Sequence, residues 1–471
     1  MAQKPRDWTR HPLSMAGAIL TTLSAVLILA VVVAGLSGWE GGPYIGIVAF
    51  LVLPAFFILG LLLIPAGAAL QQRRERVASA TGATLPALPI FDLNSRRTRG
   101  LIIGFAALSA VNVVILAVAG YHGLELMDSP KFCGSCHSVM APEFTAYERS
   151  PHSRVRCVQC HIGPGASWFV KSKLSGLWQV VSVSLDLYPR PIPTPIHNLR
   201  PARDTCEQCH WPAKFVGDRL KVKTRYADDE AATETKTVVL LHVGGGTKPD
   251  SPGIHWHVNP GVRIRYLADD KRETIARIEA TLPTGEVRTY ESKANGANGK
   301  TASVWREMDC VDCHNRPTHI FRAPDDEVDD SIFAGRIARD LPFIRREAVK
   351  ALKAEFPSHD AARAGLRDGL RAFYTQQYPA IATQRAADID AAANELGAIY
   401  TRNVWPSMAI KWGTYPSHLG HEATDGCFRC HNDEHSTKDG KTLSQDCSLC
   451  HTILADREKS PPILKELLPD T

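Results

Sequence analysis

All 12 cysteines of this 471-residue chain belong to copies of one motif, Cys-x-x-Cys-His. The six copies are Cys133/Cys136/His137, Cys157/Cys160/His161, Cys206/Cys209/His210, Cys310/Cys313/His314, Cys427/Cys430/His431 and Cys447/Cys450/His451. This pattern is typical of c-type haem attachment, in which the two thiols bond the haem vinyl groups and the adjacent histidine binds the iron.

Paired cysteines have two other common uses, and neither fits this pattern well. A structural zinc site needs two more ligands at a matching spacing and gives no reason for a histidine after every second cysteine. A thioredoxin-type dithiol usually occurs once, near a βαβ unit. Six copies with no stray cysteine therefore predict six covalently bound haem c groups.

Histidines outside the motifs are candidates for the second axial position of each iron. Four of them lie within six residues of a motif: His152, His319, His421 and His435. In the segment "GIHWHV", His255 and His257 alternate on one face of an expected strand, so either or both could reach a haem. His242 and His418 are weaker candidates, and we expect His359 on the solvent face of a helix.

Met140 is a different kind of candidate ligand, for the haem of the first motif. It follows His137 by three residues, and His122 and His152 are the nearest histidines outside the motif. A thioether donates less to ferric iron than imidazole, so a methionine-ligated haem has a higher potential than a bis-histidine one. The alternative is that Met140 packs against the haem edge as a flexible apolar side chain.

Three apolar stretches precede the motifs, at about 14–37, 44–70 and 100–120. Each is close to the ~20 residues that cross the hydrocarbon core of a bilayer. The first lacks a clear A-x-A cleavage site and is followed at once by the second, unlike a cleaved signal peptide. The sequence therefore predicts three transmembrane helices.

Basic residues predict the orientation of these spans. The N-terminal tail carries Lys4, Arg6 and Arg10, and the segment 71–99 carries six arginines, whereas the loop after the first span has none. The positive-inside rule places the tail and 71–99 in the cytoplasm, so the haem motifs lie on the periplasmic side of a bacterial inner membrane. Because much of the net charge of +5 orients the spans, it requires no nucleic-acid partner.

The expected fold is a membrane-anchored multihaem cytochrome c with a loop-rich, mostly α haem domain and a β insert. Runs such as "TKTVVLLHV", "GVRIRYLA" and "EVRTYES" predict strands, and the Ala-rich stretches 330–356 and 380–402 predict helices. The predicted divisions are 1–123 (membrane anchor), 124–215 (haem motifs 1–3), 216–305 (β-rich insert), 306–324 (motif 4), 325–405 (helical insert) and 406–471 (motifs 5 and 6).

The stretches "FCGSCHSVM", "YERSPHSRVRCVQCHIGPG", "KSKLSG" and "CEQCHWP" resemble the NapC/NirT family of membrane-anchored multihaem quinol dehydrogenases. The resemblance covers roughly residues 100–215. Family members typically have one transmembrane helix and four haems, so this chain looks more like the larger inner-membrane members from metal-respiring bacteria. The resemblance implies oxidation of menaquinol from the membrane pool beside the first haem, and electron delivery to periplasmic cytochromes or a terminal reductase.

The chain departs from the family pattern at the quinol site. The family methionine usually follows the motif histidine by two residues rather than three. Lys171 and Lys173 are plausible counterparts of the family's quinol-site lysine, whereas Ser175 stands where an acid is expected. The simpler interpretation of either lysine is a snorkelling interfacial side chain.

Two other functions remain open. The chain could be an electron-transfer subunit of a larger membrane complex, without its own quinol site or working in the quinone-reducing direction. It could also be a terminal reductase or haem-based sensor. The absence of a Cys-x-x-Cys-Lys variant and the abundance of histidines argue against this last reading.

We predict that the mature protein carries six haems. Its intact mass should exceed that of the polypeptide by six haem masses, because each of the six motifs provides two thiols. A count of five or fewer would remove at least one motif from the assignment.

Overall fold

The structure is a computed structural model that describes residues 11–36, 52–80, 93–135, 137–163, 166–196, 200–245, 253–293, 304–422 and 424–467. The chain forms two compact units, Met1–Cys136 and His137–Thr471. Each unit is described separately below.

The first unit contains three long helices, α1 (Pro12–Leu36), α2 (Leu53–Ala80) and α3 (Arg96–Met127). All three are long and apolar enough to cross a membrane. The expectation of three N-terminal membrane-spanning helices is therefore confirmed, although the predicted start of the second span, at 44–51, lies outside the described residues.

Helices α1 and α2 pack closely through small residues. A Cβ atom added at Gly60 would lie 2.8 Å from the Gly17 carbonyl oxygen, and one at Gly17 would lie 2.7 Å from the Gly60 carbonyl oxygen. Only glycine permits this approach, and Ser14 Oγ donates to the Ile64 carbonyl across the same interface at 3.0 Å.

Short helical turns carry the haem motifs. The first unit ends with α4 (Pro130–Gly134), which contains Cys133. The second unit begins with α5 (His137–Glu148), α6 (Cys157–His161), α7 (Ala166–Ser184) and α8 (Ala202–Cys206), and the fourth motif forms α9 (Cys310–Cys313). The 3₁₀ turns Gly426–Arg429 and Cys447–Leu449 carry the last two motifs.

Two antiparallel sheets form the β part of the second unit. The first has the order β1-β2-β8, and its strands are β1 (Asp218–Tyr226), β2 (Glu234–His242) and β8 (His451–Glu458). The second has the order β6-β3-β4-β5-β7, and its strands are β3 (Arg263–Ala268), β4 (Ile275–Thr281), β5 (Val287–Ser292), β6 (Val304–Glu307) and β7 (His435–Ser436). The outermost strands β7 and β8 come from the segment of the last two motifs, so the β insert and that segment share both sheets.

The segment "GIHWHV" is not a strand. Residues Ile254–Val258 form a 3₁₀ turn that begins after Gly253, whose φ is +123°. His255 and His257 therefore do not share a strand face, because the turn directs successive side chains in different directions.

The helical insert contains α10 (Pro324–Phe333), α11 (Ile344–Leu352), α12 (His359–Gln377), α13 (Pro379–Gln384) and α14 (Ala386–Asn403), and α15 (Pro462–Leu467) lies near the C-terminus. The predicted helix 330–356 is interrupted because Gly335 has a φ of +70° and Pro342 cannot continue a helix. Leu366, Leu370 and Leu396 are buried at helical spacing and form part of the core.

His359 is not the solvent-facing residue expected from the sequence. Its Nε2 lies 2.7 Å from the Val404 carbonyl oxygen, and its ring packs 4.7 Å from that of Trp405. The contact fixes the start of α12 against the end of α14.

Candidate haem-binding sites

Five motif histidines each face a histidine from outside the motifs. The pairs, with the distances between ring centroids, are His210 and His152 at 6.0 Å, His161 and His319 at 6.2 Å, His314 and His255 at 6.4 Å, His431 and His257 at 5.8 Å, and His451 and His421 at 6.1 Å. The outer five histidines were all candidate ligands from the sequence.

These separations match two imidazoles bound to one iron. An imidazole nitrogen binds a metal at about 2 Å and its ring centroid lies roughly 1 Å behind it, so two rings on opposite sides of an iron have centroids about 6 Å apart. Aromatic rings that merely pack together have similar centroid distances, so the distance alone does not identify a ligand pair. The hydrogen bonds of the rings provide a second criterion for ligation.

Five of the ten paired histidines use Nδ1 for hydrogen bonds to backbone carbonyls. Nδ1 lies 3.0 Å from the Glu143 oxygen in His319, 3.1 Å from the Val243 oxygen in His255, 2.7 Å from the Ile254 oxygen in His257, 3.0 Å from the Ser444 oxygen in His431 and 3.4 Å from the Pro317 oxygen in His152. A carbonyl only accepts, so Nδ1 carries the proton and the Nε2 lone pair is free for a metal. Burial also lowers the pKa of His257, which favours the neutral ring that iron requires.

Two unpaired histidines have both ring nitrogens engaged. In His242, Nδ1 lies 3.0 Å from Asp218 Oδ1 and Nε2 lies 3.1 Å from Thr452 Oγ1. In His435, Nδ1 lies 2.9 Å from Asn432 Oδ1 and Nε2 lies 2.9 Å from the Ile275 carbonyl oxygen. The sequence favoured His435 as a ligand, but in the structure it lies on β7 of the second sheet. Because both of its ring nitrogens are engaged, we leave it out of the proposed ligand set.

Sequence proximity identified several ligand candidates but not the motifs that they face. His152 precedes the second motif and faces His210 of the third. His319 follows the fourth motif and faces His161 of the second. These pairs therefore cross-connect separate segments of the chain.

His319 also has a carboxylate beside its Nδ1. Glu143 Oε2, on α5, lies 3.2 Å from this nitrogen, and Arg316 Nη2 donates to both oxygens of Glu143 at 2.9 and 3.0 Å. A carboxylate at this position orients the ring and increases its basicity as a ligand.

The described ranges contain no group of three or more His, Cys, Asp and Glu side chains placed to hold a metal ion. A tetrahedral zinc site built from the motifs would need such a group. The side chains present, pairs of cysteines next to pairs of opposed histidines, fit haem c.

The chain does not enclose every predicted attachment cysteine. Cys160, Cys209 and Cys447 are exposed, whereas the other described motif cysteines are half-buried. In the third motif the two thiols differ, because Cys206 lies at the end of α8 beside Cys310 and Cys209 is open to solvent. A haem bonded to an exposed thiol would itself cover that side chain, so exposure is compatible with attachment, and the thioether bond of Cys209 stays a prediction.

Successive motifs are neighbours in space. Four pairs of cysteines from adjacent motifs interact: Cys160 with Cys206, Cys206 with Cys310, Cys313 with Cys427, and Cys427 with Cys450. For example, burial and the nearby Cys427 thiol raise the pKa of Cys313 to about 11. Motifs 2 to 6 therefore follow one another in the order of the sequence.

The first motif is described only in part. Cys133 is half-buried on α4, and Cys136 lies outside the described residues. Met140 is half-buried on α5, three residues after His137, so these positions share one helix face. Two ligands of one haem iron approach it from opposite sides, which this spacing does not favour, and iron binding by Met140 stays a prediction.

The candidate quinol-site lysines lie on α7. Lys171 is exposed, with its Nζ 4.7 Å from the centroid of the Trp168 ring, whereas Lys173 is half-buried. The same helix exposes Leu174 by 66% and Trp178 by 63%, together with Leu177 and Val181 at helical spacing. An exposed apolar face beside lysines is typical of a helix that lies in a membrane interface.

Comparisons with known proteins identify the family of the chain. The model of the NapC/NirT cytochrome c family, N-terminal region, matches residues 96–188. The chain is 40% identical to the cytochrome c-type protein ImcH of Geobacter sulfurreducens over 476 residues, which cover 99% of this chain and 93% of ImcH. The chain belongs to the NapC/NirT cytochrome c family.

Shorter similarities link this cytochrome to two further relatives. It is 33% identical to the cytochrome c-type protein TorC of Escherichia coli over 16% of this chain and 21% of TorC. It is 28% identical to the cytochrome c-type protein NrfH of Wolinella succinogenes over 21% of this chain and 59% of NrfH. No solved structure matches. The family membership and the apolar helices make this chain a membrane-anchored c-type cytochrome of respiratory electron transfer.

We predict that His255→Ala and His319→Ala each convert one haem from low-spin to high-spin, because each removes one imidazole of a pair. Absorption and electron paramagnetic resonance spectra of the oxidised protein provide the measurement. His242→Gln is the matched control, since its ring nitrogens are engaged by Asp218 and Thr452. Unchanged spectra for His255→Ala, or loss of a low-spin signal in the control, would contradict the ligand assignment.

Proposed function

We propose that this cytochrome oxidises menaquinol at the membrane and transfers the electrons through six haem c groups to periplasmic cytochromes or a terminal reductase. The observation that carries the proposal is the series of opposed histidine pairs on motifs that are spatial neighbours in sequence order. A bound haem c accepts and donates one electron at its iron. The chain contributes the spacing of the motifs and, at motifs 2 to 6, two opposed histidines that would hold the iron of each haem.

Electron entry is assigned to the first motif. Cys133 follows the end of α3, Met127, by only a few residues, and α3 is apolar enough to span a membrane. A quinol is apolar and remains in the bilayer, so the group that oxidises it must lie near the membrane surface. Met140 is the candidate thioether ligand here, and it would distinguish this haem from the other five.

Quinol binding is assigned to α7. Oxidation of a quinol releases two protons with the two electrons, and a polar group near the hydroxyls assists their departure. Lys171 is exposed at one end of the apolar face formed by Leu174, Leu177 and Trp178. In the proposal, this face enters the membrane interface and Lys171 or Lys173 orients the quinol headgroup.

Electron exit is assigned to the sixth motif. It is the last in the spatial succession, and its Cys447 is exposed. A haem attached there would present an edge to a soluble acceptor. The alternative is a subunit of a larger complex that receives electrons from a partner or reduces quinone. The largely exposed apolar surface of α3 could contact such a partner.

We predict that residues 71–99 are cytoplasmic and that the C-terminus is periplasmic, from the arginine distribution. Reporter fusions at residue 85 and after residue 471 should give opposite compartment signals. Matching signals would require an even number of membrane crossings between the two fusion points.

We predict that Lys171→Gln slows reduction of the haems by a menaquinol analogue by about 10–100-fold, because a misoriented headgroup loses its reactive geometry. Reduction by dithionite should be unchanged. Lys350→Gln is the matched control, since Lys350 is 78% exposed on α11 of the helical insert. Rates should be measured by stopped-flow absorption on the purified full-length protein.

Equal quinol rates in Lys171→Gln and the control would contradict a role for Lys171. Failure of the purified wild-type protein to react with menaquinol, while dithionite reduces every haem, would favour the subunit alternative instead.

A further inference from the structure

A buried cluster of charged side chains lies between the fourth and fifth motifs. Asp312, inside the fourth motif, is 2% exposed and accepts hydrogen bonds from Tyr266 Oη at 2.7 Å and Arg306 Nε at 2.8 Å. The backbone N–H of Asp309 donates to its other oxygen at 2.6 Å. Arg272 Nη1, on a side chain that is 14% exposed, lies 3.6 Å from the same carboxylate.

Arg429, inside the fifth motif, brings a third guanidinium to this cluster. Its Nε, Nη1 and Nη2 donate to the carbonyl oxygens of Gly426 at 2.9 Å, Arg272 at 2.6 Å and Asp312 at 2.6 Å. These three partners are neutral. Arg429 forms no ion pair with any residue in the part of the chain that the structure describes.

His418 adds an unsatisfied polar atom beside Arg429 and Asp312. The residue is 7% exposed, and its backbone N–H donates to Asn315 Oδ1 at 2.9 Å, directly after the fourth motif. Its Nδ1 is buried and has no hydrogen-bond partner among the described residues. Burial and the nearby Arg429 lower the pKa of His418 to about 4.

The charges of this cluster do not balance. Arg306 interacts with both Asp312 and Asp309, whereas Asp312 is the one carboxylate near Arg272 and Arg429 among the described residues. Buried charges in proteins are normally paired. An anion is therefore missing, and planar guanidinium groups are best satisfied by carboxylates. The haems of the fourth and fifth motifs would supply such an anion, because each haem c carries two propionate carboxylates. Cys313 and Cys427, which belong to these two motifs, are neighbours beside the cluster.

We propose that Arg272, Arg429 and His418 form a carboxylate-binding pocket that holds a propionate of the haem at the fourth or fifth motif. The inference rests on haem attachment at these two motifs. The pocket has a redox consequence, because the guanidinium charges offset the negative charge of a propionate near the iron and so favour the reduced form, which carries one positive charge fewer. This pair of motifs should therefore include a haem of higher potential than other bis-histidine haems of the chain.

Arg429→Gln tests the pocket because it retains a hydrogen-bond donor and removes the charge. Spectroelectrochemical titration of the purified full-length protein should show one or two haems shifted to lower potential and the others unchanged. We expect about a tenfold change in the ratio of reduced to oxidised haem at fixed potential, which is about 59 mV for a one-electron couple. Arg429→Lys should restore most of the potential.

Arg371→Gln is the matched control, because Arg371 is 52% exposed on α12 and pairs with Asp390. Redox-difference infrared spectra provide the second readout, since loss of an arginine partner should shift a propionate carboxylate band. Intact mass establishes that six haems are still attached, which separates failure of the pocket from failure of haem attachment. If Arg429→Gln loses a haem, Arg272→Gln replaces it. Arg272 lies outside both motifs, and its substitution should lower the same one or two potentials.

Two outcomes would overturn the proposal. One is a set of potentials in Arg429→Gln and Arg272→Gln equal to those of the Arg371→Gln control. The other is a change in potential with no change in any carboxylate band, which would assign the effect to charge alone rather than to a bound propionate.

Discussion

The proposed opposition of two imidazoles across one iron is the interaction that would hold the second unit together. Each proposed pair joins a motif to a histidine from another segment: His152 lies before the second motif and faces the third, and His257 lies in the β insert and faces the fifth. Iron bonds to such residues would act as cross-links between motifs that are carried on short helical turns. Ligand histidines must be neutral with Nε2 free, and in five of the ten paired histidines the carbonyl partner of Nδ1 favours that tautomer.

The positions of the cysteines give the order of the motifs in space. Because cysteines of consecutive motifs lie close together, haem groups bound to motifs 2 to 6 would follow one another in the order of the sequence. The strands β7 and β8 also hold the last two motifs in place, since their pairing with β5 and β2 attaches this segment to the β insert. The helical insert instead forms most of an apolar core, with Leu366, Leu370 and Leu396 buried, which Tyr226 and Ala232 of the β insert complete.

Much of this arrangement follows from local sequence patterns. The spans, the motifs and the strands of the β insert depend on composition and short-range periodicity, which is why the sequence predicts them. The pairing of histidines depends on contacts between distant segments. His435 illustrates the difference: it lies four residues after His431, yet hydrogen bonds to Asn432 and the Ile275 carbonyl engage both of its nitrogens. No local signal distinguishes it from His421. The segment Ile254–Val258 was likewise predicted as a strand from its alternating composition, although it forms a 3₁₀ turn.

Near-infrared magnetic circular dichroism of the oxidised full-length protein tests the central claim most directly, because the energy of the ligand-to-iron charge-transfer band depends on the pair of axial ligands. The account predicts five haems with bis-imidazole bands, for motifs 2 to 6, and one haem with a different band, for the first motif. Two or more haems without the bis-imidazole band would contradict the proposed histidine pairs.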